Sequence, residues 1–223
     1  MTAALLLGVT LSSCSAWFFS SGLRHPDRSR PVVRIELRGH PAQLGATTTE
    51  GIVFLNADKA TGPCRVHYFL GPDLIVEDGA VGELRGGYAL AEIDLKSQAV
   101  PVLTREPVPE DELVAIVLSG ADITRVSVQL ANGAVASGYA LEWPGVELPL
   151  GTGIFRVRTG RNAGDLQFVG LANGLATLTS AAESKRFITF TGPARMREAL
   201  ATPRPLFKPS RIKHRPDGIS IRK

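Results

Sequence analysis

Short segments with alternating apolar and polar residues recur along most of this chain, about 8 to 12 residues apart, with glycine or proline between them. In segment 32–38, for example, Val33, Ile35 and Leu37 alternate with charged residues. Because successive side chains of a strand point to opposite faces, such a segment can bury one face and expose the other. The pattern predicts a mainly β fold, an antiparallel β-sandwich or barrel-like domain.

The strands predicted after this first one are alternating segments or short apolar runs bounded by turn residues. They cover residues 51–55, 64–70, 74–77, 88–95, 99–103, 113–118, 126–130, 135–143, 154–159, 166–170, 175–180 and 186–191. The secondary structure of residues 110–118 is left open between helix and strand. The first three residues are acidic, as in the first turn of a helix, whereas the remainder is rich in β-branched residues.

The clearest local signal is a predicted hairpin over residues 125–143. Alternating strands flank Asn132-Gly133, a pair that tolerates the positive φ of a two-residue turn. We therefore expect an antiparallel pair turning at these two residues, with Trp143 among its core contacts.

One short C-terminal helix is predicted over residues 194–201. Pro193 suits the first position of a helix, and Pro203 prevents its continuation. The segment 202–223 beyond it is basic and rich in proline, and we expect no regular structure over most of 202–216 because little apolar area is available there to offset chain entropy.

The length of 223 residues and a hydrophobic content of 44% are sufficient for a packed core. We expect one β-rich domain over residues 32–201, with two halves meeting near 104–110 as the alternative. The chain has only two cysteines, so the sequence contains no disulfide framework.

The N-terminal segment 1–23 carries no charged side chain and contains a short apolar run that ends in Leu11, Ser12, Ser13 and Cys14. This ending resembles the lipobox of bacterial lipoproteins. The resemblance implies a signal peptide over residues 1–13, and an acylated Cys14, palmitate being one such acyl group, as the first residue of the mature protein. Residues 14–31 are then the lipidated N-terminus and a tether.

Two other interpretations of the N-terminus stay open. In one, an uncleaved apolar anchor is followed by arginines, which would leave the body of the protein in the cytoplasm. In the other, the segment is an ordinary apolar N-terminus, such as a buried strand, of a protein that is not exported. Ser15, rather than Asp, follows the cysteine, and the resemblance to outer-membrane lipoproteins then implies sorting to an outer membrane where one exists.

Charge is distributed unevenly along the chain. Residues 195–223 hold nine basic and two acidic side chains, whereas residues 66–122 hold three basic and eleven acidic ones. Lys208, Arg211, Lys213 and Arg215 are candidates for contact with anionic lipid or an acidic envelope polymer. The alternatives are a solvated end or a tail folded over the acidic stretch. Nucleic acid is not expected, because the tail offers a single aromatic residue, Phe207, for stacking.

Residues with catalytic or ligating chemistry are scattered. None of the four histidines has a Cys, His or Glu at metal-ligand spacing, so neither a metal nor another cofactor is expected, and no catalytic residue is assigned. Arg156, Arg158 and Arg161 form a candidate anion-binding group, with solvated strand arginines as the alternative.

These observations predict a lipid-anchored protein of the bacterial cell envelope that acts as a binding or structural module, with the membrane and an envelope protein as partners. The first alternative is an anchored or secreted hydrolase whose site is built from scattered carboxylates and arginines. The second is a non-exported structural or assembly protein of the cytoplasm.

The anchor can be tested by replacing Cys14 with alanine while a functional export signal is kept. We expect the variant to move from the membrane fraction to the soluble fraction, because the acyl chains that bind the bilayer are lost. The distribution is measured by cell fractionation and immunoblotting. A variant that stays in the membrane as firmly as the wild type would contradict acylation of Cys14.

Overall fold

The structure is a computed structural model that describes residues 30–70, 72–93, 100–119, 122–131, 139–158, 165–179 and 184–201. These residues form twelve strands and one short helix, so the prediction of a mainly β, barrel-like fold is confirmed. The elements are β1 (Val32–Leu37), β2 (Gln43–Thr48), β3 (Gly51–Leu55), β4 (Gly62–Leu70), β5 (Asp73–Glu83), β6 (Tyr88–Ile93), β7 (Leu113–Ser119), β8 (Asp122–Val128), β9 (Tyr139–Glu142), β10 (Gly153–Val157), β11 (Leu166–Thr179), β12 (Ser184–Phe190) and α1 (Pro193–Leu200).

The first six strands form a closed antiparallel barrel in the order β1-β2-β3-β6-β5-β4. Strand β4 returns to pair with β1, with Ile35 opposite Val66, so this barrel has no free edge. Its interior contains the inward-facing residues of the alternating segments, among them Ile35, Phe54 and Tyr68.

The second six strands form a sheet in the order β8-β7-β10-β11-β12-β9. Strand β7 pairs with β8 and β10 just as β1 pairs with β2 and β4. Beyond the end of β8, Leu130 bridges Leu141, and the Glu142 amide donates to the Gln129 carbonyl oxygen at 2.9 Å. The second half therefore repeats the strand order of the first.

An apolar cluster joins the two halves. It takes Val32 and Phe69 from the first barrel, Phe155 and Phe168 from the second sheet, and Met196 from α1, all of them buried. The rings of Phe155 and Phe168 lie 5.7 Å apart between centroids. A buried hydrogen bond between the hydroxyls of Tyr88 and Thr191 adds a polar link between the halves.

The segment 100–103 is hydrogen-bonded to both halves. The carbonyl oxygen of Val100 accepts from the Thr49 amide of the first half. In the second half, the Phe168 amide donates to the Pro101 carbonyl oxygen, and the Phe168 carbonyl oxygen accepts from the Leu103 amide, each at 2.8 Å. Residues 99–103 were expected to form a strand, and within 100–103 the structure has two isolated bridges instead.

Helix α1 begins at Pro193, after Gly192, as the proline pattern predicts. A Cβ at Gly192 would lie 2.1 Å from the ring of Tyr139, so only glycine allows this close approach. The Arg197 guanidinium donates to the Leu103 carbonyl at 2.8 Å and ties α1 to the connecting segment. Among the described residues, no helix is long and apolar enough to span a membrane.

Strands β2 and β11 differ from the predictions. Strand β2 was not predicted, because its small and polar residues show no alternation. One of these small residues, Gly45, is required by close packing, since a Cβ there would lie 2.8 Å from the Val53 carbonyl oxygen. The predicted strands 166–170 and 175–180 are one strand, β11, whose bulge near Asn173 and Gly174 was interpreted as a break. Residues 113–119 form strand β7, which excludes the helical alternative there.

The hairpin predicted over residues 125–143 is present with a different register. Leu130 pairs with Leu141, whereas a two-residue turn at Asn132-Gly133 would place Leu130 opposite residue 135. The turn itself lies outside the described residues, as do the lipobox, the tether up to residue 29 and the tail 202–223. Trp143 packs against the core as expected but is only half-buried, with the Arg186 guanidinium 5.8 Å from its ring centroid.

The apolar cluster between the halves should control the stability of the whole chain. Phe168→Ala removes a fully buried ring from it and is expected to lower the free energy of unfolding by about 3–5 kcal/mol. Chemical denaturation followed by circular dichroism measures this change. Leu178→Ala is the matched control: its side chain is 54% exposed, so it should change stability by less than about 0.5 kcal/mol. Equal effects of the two variants would contradict the described packing.

Candidate binding site

The segment leading into β7 is held by one nearly buried carboxylate, that of Asp111, which is 4% exposed. Asp111 Oδ2 accepts from Arg105 Nη1 at 2.8 Å and from the Val108 amide at 2.9 Å. Asp111 Oδ1 accepts from Arg156 Nε at 2.6 Å and from the second terminal nitrogen of Arg105. Arg156 also donates to Gln167 Oε1 at 3.0 Å, so the network reaches β11.

The pKa of Asp111 is the balance of two opposing effects. Burial raises the pKa, but hydrogen bonds from Arg105, the Val108 amide and Arg156 outweigh burial and hold the pKa below its usual value. Asp111 is therefore ionised at neutral pH, and its charge is compensated by two guanidinium groups.

A pocket of about 350 Å³ lies beside this network, where the start of β7 meets the ends of β8 and β9. It is lined by Pro109, Glu110, Asp111, Glu112, Leu113, Ser127, Val128, Gln129, Leu130 and Glu142. We refer to it as the acidic pocket. Since Asp111 is neutralised by arginines, the uncompensated charge comes from Glu110, Glu112 and Glu142, all exposed and none with an ion pair or side-chain hydrogen bond to the described part of the chain.

The predicted anion-binding arginines do not form a common group in the described residues. Arg156 is bound to the protein's own carboxylate, Asp111. Arg158 follows β10 and is half-buried, and its backbone amide donates to the Asp165 carbonyl at 2.8 Å. Arg161 lies outside the described residues, as do Cys14 and the tail residues Lys208, Arg211, Lys213 and Arg215.

The two histidines of the described residues face carboxylates. His67 Nε2 lies 3.2 Å from Glu36 Oε2, and Glu36 Oε1 accepts from Arg34 Nη2 at 2.5 Å. His40 Nδ1 lies 3.6 Å from Asp58. No hydrogen bond joins either imidazole to a serine or cysteine in the part of the chain that the structure describes.

Cys64 is buried in the first barrel. Burial, together with the nearby charge of Asp78, raises the pKa of its thiol to about 11, so the nucleophilic thiolate is scarce at neutral pH. Across the described ranges, no group of three His, Cys, Asp or Glu residues is arranged to hold a metal ion.

Comparison with known proteins identifies the fold. No protein-family model matches the sequence, and no curated protein sequence matches it. A structure of kallikrein-related peptidase 10 in complex with Zn²⁺ matches with a TM-score of 0.50 and 10% identity, over 78% of this chain and 95% of that chain. The serine endoprotease from Yersinia pestis matches with a TM-score of 0.50 and 14% identity, over 77% of this chain and 61% of that chain.

These matches and the strand order define the class. The chain has the chymotrypsin-like β-barrel fold, and its structural neighbours are serine proteases. At such low identity the likeness extends to the fold alone, because one fold hosts many functions.

Sequence reasoning did not find the acidic pocket. The available signal is the acidic run 110–112 after two prolines, which by itself indicates only the start of a helix or of a strand. Glu142 joins this run through strand pairing 30 residues later, and no local pattern connects the two.

The Asp111 network predicts a specific pH dependence. Because the folded-state pKa of Asp111 lies below the unfolded value of about 3.9, its contribution to stability is present above that pH and is lost as the pH falls through the folded-state pKa. Asp111→Asn should lower stability at neutral pH and reduce the steepness of the loss below about pH 4. Urea denaturation across this pH range measures both effects.

Glu110→Gln is the control for this experiment, since Glu110 is adjacent in sequence, exposed and without a described ion pair. Its free energy of unfolding should depend on pH as that of the wild type does. A profile of Asp111→Asn that overlays that of Glu110→Gln would show that the Asp111 contacts do not stabilise the fold.

Proposed function

We propose that this chain is a lipid-anchored binding module of the bacterial cell envelope, built on a chymotrypsin-like fold, and that its acidic pocket binds a cationic side chain of a protein partner. The observation that carries the proposal is the pocket itself: its lining includes three glutamates without a described ion pair, together with Leu113, Val128 and Leu130.

The pocket suits an arginine or a lysine. Its volume of about 350 Å³ accommodates a long side chain. Leu113, Val128 and Leu130 can contact the methylene stem, while the glutamates at the rim attract the charged head. Asp111 cannot supply a further free charge, because Arg105 and Arg156 already bind it.

The lipid anchor rests on Leu11, Ser12, Ser13 and Cys14, which resemble a lipobox. An anchor would confine the pocket to the membrane surface, where an envelope protein with a basic segment is the fitting partner. The non-exported alternative has no such confinement, and the fractionation of Cys14→Ala distinguishes the two.

Hydrolysis is the second candidate, favoured by the serine proteases among the structural neighbours. A chymotrypsin-like hydrolase requires a nucleophile, a histidine base and an orienting carboxylate in mutual contact. In the described residues His67 and His40 contact carboxylates only, and Cys64 is a buried thiol of raised pKa. These contacts favour binding over hydrolysis.

Binding can be measured by fluorescence anisotropy with a fluorescein-labelled hexa-arginine peptide. The double variant Glu112→Gln/Glu142→Gln should weaken binding about tenfold, because it removes two of the three rim charges. The control Asp73→Asn/Asp78→Asn removes the same charge from β5 of the first barrel. If both variants weaken peptide binding equally, the effect comes from the net charge of the protein, which would contradict binding in the pocket.

The hydrolase alternative has its own test. Purified protein is incubated with a fluorophosphonate probe, with trypsin as the positive control, because the probe reacts with activated serines. We expect no labelling. Stoichiometric labelling that heat denaturation abolishes would support hydrolysis and overturn the binding-module proposal.

A further inference from the structure

Two exposed aliphatic side chains stand together on β5. Leu74 and Val76 are 41% and 51% exposed, and they share one face because they are two residues apart on a strand. Both belong to the hairpin formed by β4 and β5.

This exposed pair lies next to the point where the N-terminal segment enters the fold. Leu74 is directly opposite Phe69 on β4, and Val76 is opposite His67. The guanidinium of Arg30, where the described chain begins, lies 5.4 Å from the centroid of the Phe69 ring. The aliphatic pair and Arg30 therefore lie beside the same part of β4.

We propose that Leu74 and Val76 form a contact surface for a lipid bilayer, so that the protein docks on the membrane through the end of the β4–β5 hairpin. This proposal rests on the membrane anchoring proposed above. A bilayer fits this surface because the anchor, Cys14, precedes Arg30 by 16 residues.

The length of the connection makes a weak contact effective. Sixteen residues span at most about 55 Å, so the hairpin stays within that distance of the bilayer whatever conformation the segment adopts. Tethering converts docking into an intramolecular event, with an effective concentration that can reach the millimolar range. Two aliphatic side chains, too weak to bind a membrane from free solution, can then be inserted.

The charges around the pair are mixed. Asp73 directly precedes Leu74, while Asp78 lies 3.8 Å from Arg65, and Arg30 is close to Phe69, which is opposite Leu74. A zwitterionic phosphatidylcholine bilayer therefore tests the apolar contact without a net coulombic attraction. The basic tail would favour anionic lipid, so this bilayer separates docking of the hairpin from binding by the tail.

The test uses the full chain with an N-terminal His tag, bound to phosphatidylcholine vesicles that contain a nickel-chelating lipid. The tag holds the N-terminus at the bilayer whether or not Cys14 is acylated in cells, so failure of the anchor and failure of docking are distinguishable. In a Cys14→Ser background, Val76→Cys is labelled with an environment-sensitive fluorophore; Cys64 is buried and remains unlabelled under native conditions.

Brominated lipid should quench the label at position 76 at least about twofold more than a label at Leu178→Cys, an equally exposed aliphatic position on β11. A label at Leu74→Cys should behave like that at position 76. Both cysteine positions are exposed, so folding is expected to persist, and circular dichroism checks it.

Equal quenching at positions 76 and 178, or quenching at neither, would overturn the proposal. A label at position 76 that already reports an apolar environment without vesicles would also overturn it, because the surface would then be covered by this chain itself or by a second copy.

Discussion

The apolar cluster between the two halves is the interaction on which the rest of the structure depends. Each half has its own interior, and a further buried cluster combines Val32 and Phe69 of one half with Phe155 and Phe168 of the other. Apolar burial is non-directional, so it supplies stability without specifying an orientation. The hydrogen bonds of segment 100–103 and of Tyr88 with Thr191 provide that directionality.

The Asp111 network extends this arrangement to the candidate binding site. Two arginines and a backbone amide hold one carboxylate, which positions the acidic segment at the start of β7. A charge of this kind is costly to bury unless it is paired, and the hydrogen bonds from Arg105, the Val108 amide and Arg156 hold the pKa of Asp111 below its usual value. The neighbouring glutamates remain at the rim, where solvent stabilises them and a cation can reach them.

A protease-like fold and a binding function are compatible, because a fold supplies a scaffold and the chemistry depends on the residues placed upon it. In the described residues, Glu36 faces His67, and Glu106 accepts from the hydroxyl of Tyr139. The pocket and the exposed pair Leu74 and Val76 lie on different halves, which would let one molecule contact a membrane and a partner at once.

The sequence by itself determined the mainly β class, most strand positions and the limits of the C-terminal helix, because alternation, proline and glycine act within a few residues. Only the tertiary structure decided features that depend on distant partners. Gly45 lies in a strand because it pairs with β1 and β3, and the close approach of Val53 leaves no room there for a side chain. Strand β11 continues through Gly174 because it changes partner from β10 to β12. Asp111 meets Arg156 across 45 residues, and no local pattern encodes such a contact.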